Sequence, residues 1–399
     1  MRARATRRAA ALSGVSIPPP VYVGDFTTGA LPPGVTFSRA SSGSRVNSAG
    51  GREVVGVDIP RFDYDPVSLL CKGLLIENTG IVNGMRYTED LTNNAYGKVG
   101  IEATVDSLTR SSPTAAAYTV LAVGNPCPVG ASCSVSMRVK QKTTGSRFGL
   151  RIQGSYPNRV DALFDISTGT LLGTAGSTYT VLGATITPDG DGWFRVTLSA
   201  LVAGTPASAV VFGHAHMAAA AAAVGSWEAG VPSAPLATDC FCDQRQFELT
   251  LMPSSYLPAT TENVSRAADQ CILPTPSIVP NPETSTVVLE FQTPAVLSQF
   301  GGLFKMRSST VSALAAGFYI DHSSKRPFVK VSDAIRVNLE TSISEQVVAL
   351  DSIWRIALCL SNDSVCAAIR GSIVTHAPKD PGWTGGAFSE MILGYFDKA

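Results

Sequence analysis

Across its 399 residues the chain carries 31 basic and 31 acidic side chains, a formal net charge of zero, and only 16% of it is charged. That balance gives no field to steer it toward nucleic acid, and no run approaches the roughly 18 apolar residues of a membrane span, so neither nucleic-acid binding nor membrane insertion is expected. The length exceeds one small domain, and 36 glycines with 25 prolines describe a turn-rich β protein.

The chain opens with MRARATRRAAALSGVSIPPP, in which Arg2, Arg4, Arg7 and Arg8 precede a short apolar stretch. A secretory signal is one reading, but Ala9 to Val15 is broken by Ser13-Gly14 and runs into prolines. Residues 1–20 are therefore expected to form an extended basic arm whose four arginines anchor it on an acidic partner. Residues 21–82 follow as an N-terminal β segment. Within it, DIPRFDYDPVSLLCKGLLIEN (58–78) sets Pro60 and Pro66 around an aromatic-acidic run ahead of Leu74-Leu75-Ile76. Proline fixes φ and blocks helix, so this phrase predicts strand, Asp-Pro turn, strand. Asp63 and Asp65 have the alternation that paired catalytic carboxylates need, yet a proline-bounded turn assigns them to structure.

From 83 to 270 a two-residue period dominates. Val135, Met137 and Val139 alternate with polar neighbours, as do Phe148, Leu150 and Ile152, and then Phe194, Val196 and Leu198. Spaced by Gly, Pro, Asn and Asp turns, these strands predict a two-sheet antiparallel sandwich. Asp189-Gly-Asp-Gly has the look of a calcium loop but lacks the closing Glu of an EF-hand, and reads as a hairpin turn into the Trp193 strand. His214 and His216 share a strand face, half of a metal site. His322 and His376 are remote in sequence, no third ligand emerges, and neither metal nor cofactor is expected. Met217 to Pro235, with its alanine run Ala218 to Ala223, reads as an edge insertion holding one short helix. Eight cysteines are too sparse for a disulfide scaffold, and Cys240 and Cys242 on one strand face cannot bridge each other, so buried free thiols are expected.

Pro274, Pro276, Pro280 and Pro282 make residues 271–283 a stiff, extended linker. In 284–399 alternation returns: Val287, Leu289 and Phe291, then Trp354, Ile356, Leu358 and Leu360. Glu290 stands alone among apolar neighbours, so no strand offers the alternating acidic pair of a glycanase cleft.

Four phrases, in order, resemble a recurrent module of tailed-bacteriophage virion proteins. They are Pro60–Pro66 running into Gly73–Glu77; Asn83 with Tyr87–Leu91, Asn93, Asn94, and Tyr96 where Trp is usual; Asp189–Val196; and Gln246–Glu248, Pro253–Pro258 and Ser265–Asp269. The third is similar to a strand of carbohydrate-binding-module-like jelly rolls. The clear resemblance spans residues 35–270. The strand order beyond 283 resembles, by pattern, a concanavalin-like (laminin-G-like) sandwich. Such sandwiches commonly carry one more strand after the phrase Met391–Gly394, which the N-terminal segment or a neighbouring subunit would supply.

The resemblance implies an all-β chain of two antiparallel β-sandwich (jelly-roll) domains, at 83–270 and 284–399, joined by the proline-rich linker. It implies a non-enzymatic virion structural protein, assembled in the bacterial host cytoplasm, with a tail or head fibre that contacts host glycans as its leading role. A capsid decoration or cement protein is the first alternative and a polysaccharide depolymerase the second. Expected partners are other virion proteins, met through Arg2, Arg4, Arg7 and Arg8, further copies of the chain, as a trimer, and host surface polysaccharide. Sugar rings stack on flat aromatic faces, which makes Trp193, Trp227, Tyr156 and Trp383 the candidate glycan contacts.

Overall fold

The computed structural model describes residues 2–3, 22–111, 116–143, 147–214, 224–229 and 239–273, and beyond them the strands between 285 and 393. The described residues are almost entirely antiparallel strand, arranged as two sandwiches.

The first sandwich has two six-stranded sheets. One runs Thr180–Pro188, Phe194–Leu201, Ser132–Gln141, Asp239–Glu248, Ser107–Arg110, Ile101–Ala103; the other runs Thr170–Ser177, Arg159–Asp165, Arg147–Gln153, Ala207–His214, Tyr118–Cys127, Tyr96–Val99. The expected alternation holds. Val135, Met137, Val139, Phe148, Leu150, Ile152, Val196 and Leu198 are fully buried in one core between the sheets, and Phe194 packs at its margin. Each fully buried side chain of this size contributes about 1.5–3 kcal/mol from apolar burial. Ser134 and Ser136, on the opposite face of the same strand, are also fully buried, because chain from outside the sandwich covers that sheet.

The second sandwich is discontinuous in sequence. One seven-stranded sheet has the order Ser372–Pro378, Ser364–Ile369, Ile353–Leu360, Ser285–Gln292, Arg2–Ala3, Cys71–Leu75, Phe62–Tyr64. The other has the order Thr36–Ser38, Gln270–Leu273, Glu390–Leu393, Gly301–Arg307, Ala315–Ile320, Pro327–Ser332, Val337–Ser342. Its core mixes Phe26, Phe62, Leu74 and Cys271 with Phe291, Phe304, Trp354, Ile356, Leu358 and Leu393.

This arrangement corrects three expectations. Residues 21–82 do not form a unit of their own: Thr36–Ser38, Phe62–Tyr64 and Cys71–Leu75 are strands of the C-terminal sandwich, while Gly43–Val46 and Arg52–Val55 form a separate hairpin and Ile81–Asn83 pairs with Val264–Arg266. Residues 271–273 are not linker but strand, with Cys271 opposite Leu393 and Leu273 opposite Met391. The strand missing beside Glu390–Leu393 is supplied by Gln270–Leu273 of the same chain, followed by Thr36–Ser38, so no neighbouring subunit is required there. The prolines of the linker lie outside the described residues, as do Arg4, Arg7 and Arg8. Arg2 lies in a short strand paired on both sides, to Gln292 and to Leu75.

The predicted strand–turn–strand is present at Phe62–Tyr64 and Cys71–Leu75. Asp65 builds its turn, accepting from the backbone N–H of Val67 (3.1 Å) and Ser68 (2.9 Å), while Lys72 pairs with its carboxylate at 2.7 Å. The alanine run lies outside the described residues. A 3-10 helix follows it at Val224–Ala229.

Candidate functional site

Where the two sandwiches meet, the four phrases converge. Arg61 from the first phrase donates to Glu77 Oε2 (2.6 Å), to Ser255 Oγ (2.6 Å), to the Ser44 carbonyl (3.2 Å) and to Asp269 Oδ2. Arg39 reaches the other Asp269 oxygen at 3.3 Å and the Gly56 carbonyl at 2.8 Å. Arg266 holds the Thr79 carbonyl (3.1 Å) and lies 3.5 Å from Glu77. Glu77 also accepts from the Ser255 N–H and hydroxyl, both at 2.7 Å. All three guanidinium groups and Asp269 are buried. Burial opposes ionisation of Glu77, but Arg61, Arg266 and the Ser255 hydrogen bonds outweigh it and hold the carboxyl well below its ordinary range. Three cations thus share two carboxylates away from water. Such a cluster survives only because nearly every donor has an oxygen in reach.

A neutral layer extends the seam. Asn83 Oδ1 accepts from the Met85 and Phe247 N–H groups (3.0 and 3.1 Å), and its amide donates to the Leu257 carbonyl (2.9 Å). Gln246 Oε1 accepts from the Leu257 N–H at 2.6 Å. Glu248 accepts from the Ser254 N–H and hydroxyl, both at 2.6 Å. Desolvation is the main cause that pushes the Glu248 carboxyl up to about 7. Tyr256 donates to Glu89 and exchanges a hydrogen bond with Thr88 Oγ1 at 2.7 Å. Burial, first, raises Glu89 as well.

The seam also closes the outer face of the Ser132–Gln141 sheet. Arg195 donates to Ser136 Oγ (3.0 Å), and burial followed by repulsion from Arg52 lowers its guanidinium to about 10. Arg52, in the hairpin Gly43–Val46 and Arg52–Val55, pairs with Asp189 at 3.0 Å. Asp189 is therefore spent on an ion pair with the covering hairpin. The Asp189–Trp193 segment is a hairpin turn, with Gly190, Asp191 and Gly192 all at positive φ. What the seam leaves open is shallow: a groove beside Gly80, Val82, Asn125, Leu249, Thr250 and Ser265.

The aromatic candidates separate. Trp227 is a correction: it is fully buried, donates from Nε1 to Asp161 Oδ1 (3.0 Å), and packs on Leu163, Val211 and Val224. Trp193 is half-buried, with the Arg138 guanidinium 4.1 Å from its ring centre and Phe241 tilted beside it. Tyr156 is 71% exposed, in the turn between Arg147–Gln153 and Arg159–Asp165, with Arg159 4.8 Å from its ring centre. That turn is pinned by Ser155 N–H and Asn158 Nδ2, both donating to Thr205 Oγ1 (3.1 and 2.9 Å). Strand register puts Trp193 before one end of Phe194–Leu201 and Thr205 beyond the other, so Tyr156 and Trp193 do not form one patch. Trp383 and His216 lie outside the described residues. Among the described residues, no cluster of three or more His, Cys, Asp or Glu side chains is placed to hold a metal.

Arg39, Arg61, Glu77 and Asp269 were not singled out by sequence reasoning. A signal was there for three of them: Arg61, Glu77 and Asp269 are charges set among apolar and aromatic residues in the phrases RFDY, LLIE and RAAD, which stand far apart in sequence.

No protein-family model matches the chain, and no curated protein matches it either. Among solved structures it is similar to the mouse laminin alpha1 chain, domains LG4-5, at 12% identity, covering 77% of this chain and 85% of that one with a TM-score of 0.22. A likeness that distant brings no function to this chain.

Proposed function

We propose that the chain is a non-enzymatic structural protein of a tailed-phage virion, a fibre or surface appendage that meets host glycans. The observation that carries this reading is the convergence of the phrases at the buried seam. Residues from positions 39 to 269 that resemble the virion module are the same ones that hold the two sandwiches together, so what the module preserves is an architecture. Acidic residues of those phrases are engaged in that architecture: Asp63 accepts from the Val46 N–H at 2.9 Å, and Glu77, Asp269, Glu89 and Glu248 all serve the seam. Glu290, the lone acid of its strand, pairs with Arg355.

The glycan-facing candidate is Tyr156, whose exposed ring is held by a turn fixed to Thr205 and backed by Arg159. An aromatic ring so placed stacks on a pyranose face with little ordering cost. The oligomer reading keeps the basic arm as its support and loses two others, because the chain closes its own sheet and the two sandwiches meet at a buried seam. Quantitative mass spectrometry of purified virions tests the assignment. A low copy number per particle is expected for an appendage; lattice-scale copy number would replace it with the decoration reading, and absence from virions would overturn both. For the glycan contact, Tyr156→Ala should weaken binding to host surface polysaccharide about fivefold, the equivalent of about 1 kcal/mol.

A further inference from the structure

Three turns of the first sandwich gather around one side chain. They are residues 154–158, between Arg147–Gln153 and Arg159–Asp165; residues 178–179, between Thr170–Ser177 and Thr180–Pro188; and residues 203–206, between Phe194–Leu201 and Ala207–His214. Thr205 joins all three. Its Oγ1 accepts from the Ser155 N–H (3.1 Å) and from Asn158 Nδ2 (2.9 Å), and its carbonyl accepts from the Tyr179 hydroxyl at 2.6 Å. Gly154 is required where the turns meet, because a Cβ there would lie 2.3 Å from the Tyr179 hydroxyl and 2.5 Å from Thr205 Oγ1. A Cβ on Gly204 would likewise come within 2.9 Å of Thr178 Cγ2. Thr178 itself sits at a φ of 68°, a left-handed conformation that is strained for a β-branched residue and persists only where its surroundings impose it.

What these turns present is uncharged. Residues 154–158 (GSYPN), 178–179 (TY) and 203–206 (AGTP) contain no Asp, Glu, Lys, Arg or His. The Tyr156 ring is exposed, and so are Ser155 and Thr178 with their hydroxyls. Arg159, which flanks the first turn, is spent inward: its guanidinium donates to Asp161 Oδ2 (3.1 Å), to the Gly225 carbonyl (2.7 Å) and to the Pro157 carbonyl (3.3 Å), and its side chain is only 13% exposed. A carboxylate or sulfate brought here would lose water without gaining a cation. A neutral sugar exchanges its hydroxyl bonds for those of the turns and lays a C–H face on the aromatic ring.

We propose that the three turns form one binding rim for an uncharged pyranose unit of a polysaccharide. Tyr156 stacks on the sugar ring, and Ser155 and Thr178 hydrogen-bond to its hydroxyls. Thr205 is a positioning residue: it fixes the turns before the sugar arrives and so lowers the ordering cost of binding. This rests on the reading of Tyr156 as the glycan-facing residue, and narrows that reading to a class of sugar and a set of residues.

The test is an amide NMR titration of the isotope-labelled full-length protein with methyl glycosides of glucose, galactose and mannose, and with methyl glucuronide and methyl sialoside. At least one neutral glycoside should shift the Ser155, Tyr156 and Thr178 amides with a dissociation constant in the millimolar range, insensitive to salt, and the two acidic probes should bind about fivefold more weakly. Tyr156→Ala should abolish the stacking shifts without altering the rest of the spectrum, since the ring is exposed. Thr205→Val, which keeps the shape and removes the acceptor, should weaken binding about threefold, and Thr205→Ser should restore it. Salt-sensitive preference for the acidic probes at the same amides would overturn the neutral class and leave Tyr156 as a glycan contact. Shifts confined to amides outside the three turns would overturn the rim. Full binding by Thr205→Val would overturn the positioning role, and no shift with any probe would overturn both this proposal and the reading it rests on.

Discussion

Arg61 and Asp269 carry the largest residue-scale consequence of the seam. Both side chains are fully buried, and removing one partner leaves an uncompensated charge where no water can reach it. Asp269→Asn should cost about 3–5 kcal/mol in urea unfolding, whereas Lys140→Ala, which breaks the exposed pair with Asp191, should cost less than about 1 kcal/mol. Equal costs for the two variants would mean that the cluster is solvated. Glu248 sets a pH dependence of opposite sign to that of Glu77. Its folded carboxyl titrates at about 7 against an ordinary 4.5, so the fold favours the neutral form. The unfolded chain releases that proton first, and the contribution of Glu248 is complete at low pH and lost as pH rises from about 4.5 to about 7. Glu77, held low, contributes in the other direction: its stabilisation is present above the ordinary carboxylate range and lost as acid protonates it. Comparing unfolding free energies at pH 5 and pH 8, Glu248→Gln should therefore remove a loss on the order of 2–3 kcal/mol that the unmutated chain suffers. An unchanged difference between the two pH values would place Glu248 in contact with water.

At the scale of elements, the strands were legible and what covers them was not. Alternation at Val135, Met137 and Val139 or at Phe148, Leu150 and Ile152 states directly which face is inside, because a strand's period fixes it. Ser134 and Ser136 read as solvent-facing by the same rule, yet chain from distant positions buries them. Trp227 was misread for a related reason. A tryptophan among Gly, Ala and Pro reads as an exposed loop aromatic. The 3-10 helix Val224–Ala229 instead lays it on the outside of the second sheet, over Gly149. The glycine is the trace that sequence offered: a Cβ there would sit 2.1 Å from Trp227 Cδ2. Gly149→Ala should expel the indole, red-shifting its fluorescence and destabilising the chain by about 1–3 kcal/mol. An unaltered emission spectrum would show that the helix docks without the ring. Tyr156, by contrast, lies in the turn between Arg147–Gln153 and Arg159–Asp165 and keeps its ring exposed.

At the scale of the whole molecule, the sandwich count was legible and the connectivity of the second sandwich was not. Proline-rich residues after 273 mark a boundary in composition, but strand pairing depends on contacts far apart in sequence, which no local pattern states. Thr36 meets Ile272, Cys271 meets Leu393, and Leu74 and Phe62 enter the same core as Phe291 and Trp354. The seam explains how that join is held: Arg61, Glu77 and Asp269 fix the N-terminal flank and the strand Gln270–Leu273 to each other before either reaches the second sandwich. The central claim is thus that the C-terminal strands have no complete core without residues 22–76 and 270–273. Amide-proton NMR of an isolated 284–399 fragment, beside the full-length chain, tests it most directly. Collapsed amide dispersion and loss of hydrogen-exchange protection in the fragment are the expected result; a dispersed, protected spectrum from the fragment alone would contradict it.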